Sequence, residues 1–411
     1  MRISLLLERE PFGSILERTL ESFLAQKEGG PYRVRWFSPN PGMRKLERWG
    51  YEPWLCNVYL NMIAAAGAEE EVFSVVRREY SRSMSCWRRI AQRAYVQFGT
   101  SSLGMAFLSQ AAVGVSPALP GGRQILIMGG NHRLRLFDQL HNRVYVILKA
   151  GFDARYLVDE VKVRRQTAGL RVPRLLGSDP MGRWFSEEWI DGNPLNRLAD
   201  RSIAQAAFEQ VAGVLGAWLD ARADHADLGD YCHGLYRRAN TLIQNQQLLL
   251  QEEKVVISAL FDEAFALLRS QDSGRDSAIV TSQSHGDFQP ANVLVTEEGG
   301  WLIDWERTDK RQIAYDALVY TLNSRLPQGL AHRVETALAM DGGPEATVLR
   351  TWPGMDWSNR RYRRTVLLLF LMEEMVFHLE ENSNPVFFCL GSGLKQICSE
   401  MGPALRVLRE G

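Results

Sequence analysis

From about residue 195 onward the apolar residues recur at helical spacing, but two β-rich runs interrupt them, AIVTSQSHGDFQPANVLV and GWLIDWER, parted by the turn signal TEEGG. This lobe is therefore mainly α, with the two β-rich runs inserted into a helical context. The first run carries His285, Asp287 and Asn292, and the second carries Asp304. Hairpin pairing places Asn292 and Asp304 side by side. Magnesium takes hard oxygen ligands and keeps several waters, so an Asn oxygen and an Asp carboxylate beside a phosphate chain suit it, with Asp287 facing the remaining gap. Taken alone, H-x-D fits equally a metal-hydrolase pair or a turn in which Asp287 bonds its own backbone.

Upstream the texture is different. RQILIMGG, HRLRLFDQ and NRVYVILKAG read as three strands joined by the turns GGN and LHN, an antiparallel meander. A helical stretch, ARYLVDEVKVRRQTAG, follows, then two further strands in VPRLLGSDPMG and RWFSEEWIDG. Five strands and one helix make a small α+β lobe over residues 116–194, and residues 195–411 make a mainly helical lobe. Residues 1–115 read as a separate α/β module of unassigned role, bounded by the proline- and glycine-rich GVSPALPGGR at 114–123. In that module RISLLLE and YRVRWFS look strand-like, whereas SILERTLESFLAQ, NVYLNMIAAAG, EEEVFSVVRREY and CWRRIAQRAYVQF look helical.

Composition excludes several classes. The 411 residues are 45% hydrophobic and 23% charged, a globular balance, and 48 basic residues offset 48 acidic ones. No global field announces nucleic acid or an anionic membrane, so specificity must come from local sites. Five cysteines, odd in number and without a C-x-x-C pair, indicate neither a disulfide framework nor a zinc site. No run reads as a signal peptide or a membrane span, the apolar stretch at 366–372 being cut short by Glu373 and Glu374. A reducing cytoplasm is the expected location; the oligomeric state is left open.

HGDFQPAN and IDWE resemble the catalytic loop and metal strand of the aminoglycoside phosphotransferase and choline kinase family, which has the protein-kinase-like fold. The resemblance implies a bilobal kinase-like architecture with an extra N-terminal module, and use of ATP and Mg2+. It implies Asp287 as the base for an acceptor hydroxyl, Asn292 and Asp304 as magnesium ligands, and Asp316 as a brace of the catalytic loop. Lys149 in VYVILKAG occupies the place of the family's strand lysine, with Glu160 as its ion-pair partner and Asp159 ranked below it. EEWIDGNPL resembles the interlobe hinge, where Glu188 and Ile190 would meet the adenine edge through backbone groups. Gly129 and Gly130 would let the backbone approach phosphates, although Gly-Gly-Asn chemistry also suits a plain hairpin turn. His285 is expected to be structural.

HGD lacks the arginine of H-R-D, DWE replaces D-F-G, and no A-P-E follows, so a peptide-binding activation segment is not expected. These departures favour a small-molecule hydroxyl acceptor: an amino sugar, a sugar, a choline-like alcohol or a related metabolite. Trp352, Trp357, Tyr362, Glu373, Glu374, Glu380 and Glu381 are acceptor-side candidates, weighed against the plainer reading of packed tryptophans and a solvated acidic helix face. The alternatives are a catalytically silent kinase-like binding protein, and a kinase acting on a protein or an envelope glycan.

Overall fold

Nine antiparallel strands form the larger sheet: β1 (Arg33–Phe37), β2 (Glu52–Asn57), β3 (Met62–Ala65), β4 (Ala111–Ser116), β5 (Ile125–Gly129), β6 (Arg133–Asp138), β7 (Arg143–Leu148), β8 (Leu175–Ser178) and β9 (Trp184–Glu188). They lie in the order β1-β4-β2-β3-β5-β6-β7-β9-β8. The computed structural model describes residues 2–80, 86–167, 169–271, 278–322, 328–340 and 344–410. Within these the chain divides into two compact units. The first holds residues up to Val161 together with Arg174–Trp189 and Val386–Cys389; the second holds Lys162–Pro173, Ile190–Pro385 and Leu390–Gly411.

All five strands expected over 123–190 are present as β5 to β9, and the LHN turn closes β6 onto β7 with Asn142 at a φ of 48°, a conformation Asn tolerates. The strands on either side of residues 114–123 belong to one sheet, since β3 pairs with β5 through Ile63 opposite Ile127. Two expectations upstream are corrected. RISLLLE is a helix, Ile3–Arg9: Ile3 and Leu6, three apart, are buried, while Leu5 and Leu7 are exposed. NVYLNMIAAAG is the β2–β3 hairpin. The Asn57 side chain accepts from the backbone of Tyr59 and Leu60, and Asn61 takes a φ of 52° to turn the chain. The helix Phe12–Glu28 packs Phe12, Leu16, Leu20, Phe23 and Leu24 against the inward-facing side chains of the sheet.

The second unit is mainly helical. Its longest members are Arg201–Asp220, Leu228–Asn245, Gln251–Gln271, Arg360–Glu381 and Ser392–Glu410. Asp200 and Asn359 cap two of them by accepting backbone N–H groups of the first turn, each such cap contributing about 1 kcal/mol. The apolar run 366–372 lies wholly inside the core, which is why this helix is apolar all round at its middle. No helix among the described residues is long and apolar enough to cross a membrane. Two small sheets complete the unit: β10 (Asn193–Pro194) with β13 (Val293–Thr296) and β14 (Gly299–Leu302), and β11 (Asp224–Asp227) with β12 (Ala278–Ser284) and β15 (Asp309–Gln312).

Candidate functional site

The polar loop begins where β12 ends. Asp316, buried in the first turn of the helix Tyr315–Leu322, accepts the backbone N–H of His285 at 2.7 Å and of Gly286 at 2.8 Å. Burial raises its carboxyl above the usual range, opposed by His285 and these two amides. Gly286 sits at a φ of 85°, and a side chain there would collide with the carbonyl of Arg307. His285 is fully buried against the edge of Trp305; its Nε2 donates to the Ile303 carbonyl at 3.0 Å, which leaves Nδ1 to accept the Asp287 N–H at 3.2 Å. Both ring nitrogens are spent on backbone, so His285 shapes the loop.

Asp287 is thereby presented on a rigid support. Its Oδ1 accepts from Gln289 Nε2 at 2.7 Å and its Oδ2 from Asn292 Nδ2 at 2.9 Å. Asn292 Nδ2 also donates to the Asp287 carbonyl at 2.9 Å. With the amide nitrogen committed to Asp287, the carboxamide oxygen of Asn292 is the atom offered to a cation. The hairpin sets Asn292 opposite Ile303, the residue before Asp304: Ile303 N–H donates to the Asn292 carbonyl at 3.0 Å, and Val293 faces Leu302 across β13 and β14. Asp304 follows at a φ of 69°, a strained conformation for a non-glycine residue and one that turns the chain sharply out of the strand. An amide oxygen and a carboxylate are the hard donors that magnesium takes beside phosphate, so these two residues fit it.

Arg307 was not singled out in the sequence, yet its guanidinium lies 3.6 Å from Asp287 and 3.8 Å from Glu381. Burial alone would lower its pKa; the carboxylates of Asp287, Glu381, Glu306 and Glu374 outweigh that and raise it. His378 links Glu381 and Glu374 at 3.7 and 3.8 Å. Of the acceptor candidates, Trp352 and Trp357 are core side chains, Tyr362 packs edge-on to Trp357, and Glu380 pairs with Arg238 at 2.5 Å. Glu374 is hydrogen-bonded by the Tyr315 hydroxyl, and Glu381 is joined to Asp287 by way of Arg307.

Glu373 is buried, hydrogen-bonded by the Tyr231 hydroxyl and by the Gln312 N–H, and burial pushes its carboxyl up to about 8. Folded protein therefore holds a proton there that the unfolded chain releases near pH 4.5. The stabilisation is full below about 4.5 and is lost as pH rises through about 8. Glu373→Gln is expected to flatten the pH dependence of urea unfolding across that window; an unchanged slope would show that the carboxyl is already ionised.

In the first unit, Lys149 is fully buried, but its partner differs from the expected one. Its Nζ lies 2.5 Å from Glu10 Oε1 and donates to the Gly130 carbonyl at 3.1 Å, with the Phe152 ring 4.6 Å away. Glu160 instead pairs with Arg133 at 2.7 Å, both buried. Burial pulls the Lys149 ammonium down to about 8, against the pull of Glu10, and raises Glu10 in turn. Glu10 sits just past the helix Ile3–Arg9, 139 residues away in sequence, and no local pattern pointed to it. Gly129 is a glycine for packing, because a Cβ there would lie 2.8 Å from Leu6 Cδ1. Its N–H and carbonyl are both taken by the side chain of Asn61, at 3.2 and 2.9 Å, so its amide is not offered to a phosphate. Glu188 ends β9 with its N–H on the Arg174 carbonyl, and the division between the units falls between Trp189 and Ile190, within EEWIDG.

Residues 141–358, more than half of the chain, match the family model described as the phosphotransferase enzyme family. Curated proteins provide no match. Among solved structures, the chain is similar to a choline kinase from Cryptosporidium parvum Iowa II, at 14% identity over 70% of this chain and 90% of that one, with a TM-score of 0.45. It is similar to the gentamicin–APH(2")-IIa complex at 11% identity over 67% and 90%, with a TM-score of 0.44. For a putative fructosamine-3-kinase from Thermobifida fusca YX-ER1 the values are 17% over 70% and 93%, with a TM-score of 0.41.

Proposed function

The chain belongs to the phosphotransferase enzyme family, with a hydroxyl group as acceptor, and from that premise we propose that it moves the γ-phosphoryl group of ATP to a hydroxyl of a small molecule. The observation that carries this is the Asp287 carboxylate, held by Gln289 and Asn292 on a loop that Asp316 and His285 lock in place. Phosphoryl transfer is mostly positioning and charge neutralisation. Asp287 orients the acceptor hydroxyl and takes its proton as the oxygen attacks, with the Arg307 guanidinium 3.6 Å from the carboxylate. Asn292 and Asp304 would hold Mg2+, which supplies charge neutralisation on the phosphates. Lys149 is the cation of the first unit proposed to neutralise phosphate charge, with Glu10 in the pairing role expected of Glu160. Glu188 and Ile190 are proposed to meet the base through backbone groups.

The acceptor is proposed to be an amino sugar, a sugar, a choline-like alcohol or a related metabolite, classes that include the gentamicin, choline and fructosamine named for the similar structures. A screen of such compounds for ATP consumption, with an Asp287→Asn variant as the blank, tests the class. The metal assignment has its own readout. Nucleotide is expected to raise the melting temperature with magnesium present and much less without it, by about 2.7 kcal/mol of stabilisation at a hundredfold excess over Kd. Asp304→Asn should erase the difference. A shift indifferent to magnesium would remove Asn292 and Asp304 as ligands.

A further inference from the structure

The helix Cys86–Gly99 is built inside out. Among its described side chains only Val96 is buried, besides the backbone of Gly99. At 3.6 residues per turn, Trp87 lies on the opposite side of the helix from Val96. The stripe Trp87, Ile90, Ala91, Ala94, Tyr95 and Phe98 follows i, i+3, i+4, i+7, i+8, i+11, the spacing of a face meant to be covered, yet it points to solvent. Trp87 is 80% and Ile90 60% exposed. The next helix, Ser102–Leu108, capped by Ser101, adds Leu103 and Phe107 at 68% and 78%. Ordinary surfaces scatter such residues singly; here six large apolar side chains lie within 21 positions.

The polar flanks decide what covers them. Arg88, Arg89 and Arg93 are exposed beside the stripe, and residues 80–137 contain no Asp or Glu. A second copy of the same face would bring arginines together with no carboxylate from this stretch to answer them. A basic amphipathic helix with Trp and Phe on its apolar side suits the boundary between headgroups and acyl chains of an anionic bilayer. We propose that residues 86–108 are a peripheral membrane-binding surface, with the apolar stripe sunk to the acyl boundary and Arg88, Arg89 and Arg93 on anionic headgroups. The surface is independent of the phosphotransferase chemistry and would hold the enzyme at a lipid face without spanning it.

The test is flotation of the full chain with vesicles of phosphatidylcholine alone and of phosphatidylcholine with phosphatidylserine. Flotation is expected with the anionic vesicles and is expected to weaken with salt. Arg88→Glu with Arg93→Glu should lower partitioning by at least about fivefold for each arginine lost, and Trp87→Ser with Phe98→Ser by at least about tenfold. Because all four side chains are exposed, melting temperature and the nucleotide-dependent shift should stay unchanged in both variants. Absence of flotation, or equal partitioning into neutral and anionic vesicles, overturns the proposal. So does a concentration-dependent dimer that the Trp87→Ser, Phe98→Ser variant abolishes, since that would identify a second copy as the occupant.

Discussion

Asp287→Asn is expected to lower turnover by about 10²- to 10⁴-fold, the usual contribution of a positioned general base. The substitution is nearly isosteric, but a carboxamide cannot take the acceptor's proton. It also replaces one of two accepting oxygens with an NH2 group, so one of the present donors, Gln289 Nε2 or Asn292 Nδ2, would face another donor. That mismatch should cost about 1 kcal/mol of stability and leave Arg307 with Glu381. Asp287 is not among the proposed metal ligands, so the magnesium-dependent nucleotide shift should survive. Turnover that persists at the level of the unmodified enzyme would remove Asp287 from the chemistry.

Glu10→Ala is expected to destabilise the protein by about 3–5 kcal/mol, because it strands a fully buried ammonium with only the Gly130 carbonyl and the Phe152 ring. The stranded lysine can escape by shedding its proton, which becomes easier as pH rises. Because Lys149 in the intact pair already titrates at about 8, the loss should shrink by up to about 1.4 kcal/mol per pH unit as pH rises toward about 8 and level off above it. Adding Lys149→Met to Glu10→Ala should recover much of the stability, since two apolar side chains replace a charge pair whose desolvation was never fully offset. Urea unfolding of the two variants at several pH values measures both effects. A loss below about 1 kcal/mol would mean that water reaches Lys149 readily.

The hairpin loop and the five strands β5 to β9 were legible because their signals are local: alternation with a period of two, turn residues at the reversals, and a polar motif leading into an apolar run. RISLLLE and NVYLNMIAAAG are ambiguous for the same reason. Both are short apolar runs that satisfy either period, and the choice is made by what they bury: Ile3 and Leu6 against Gly129 in one case, the ladder to β5 in the other. The brace expected of Asp316 is present as two hydrogen bonds from the backbone of His285 and Gly286.

The pairing of Lys149 could not be read from the chain. Glu10, between Arg9 and Pro11, and Glu160, between Asp159 and Val161, carry no local mark that separates them, and the selection depends on Arg133 taking Glu160 and on an N-terminal helix folding over Gly129. Arg307 stood one residue beyond IDWE, but nothing in its type or position told that its guanidinium would lie between Asp287 and Glu381. The linear sequence determined which segments turn and where the polar motif meets the apolar run, since composition, period and motif spacing are properties of neighbours in the chain. Tertiary structure alone decided which charges are buried together, because the free energy of an ion depends on the solvent it loses and the partners it meets, and these come from residues far apart in sequence.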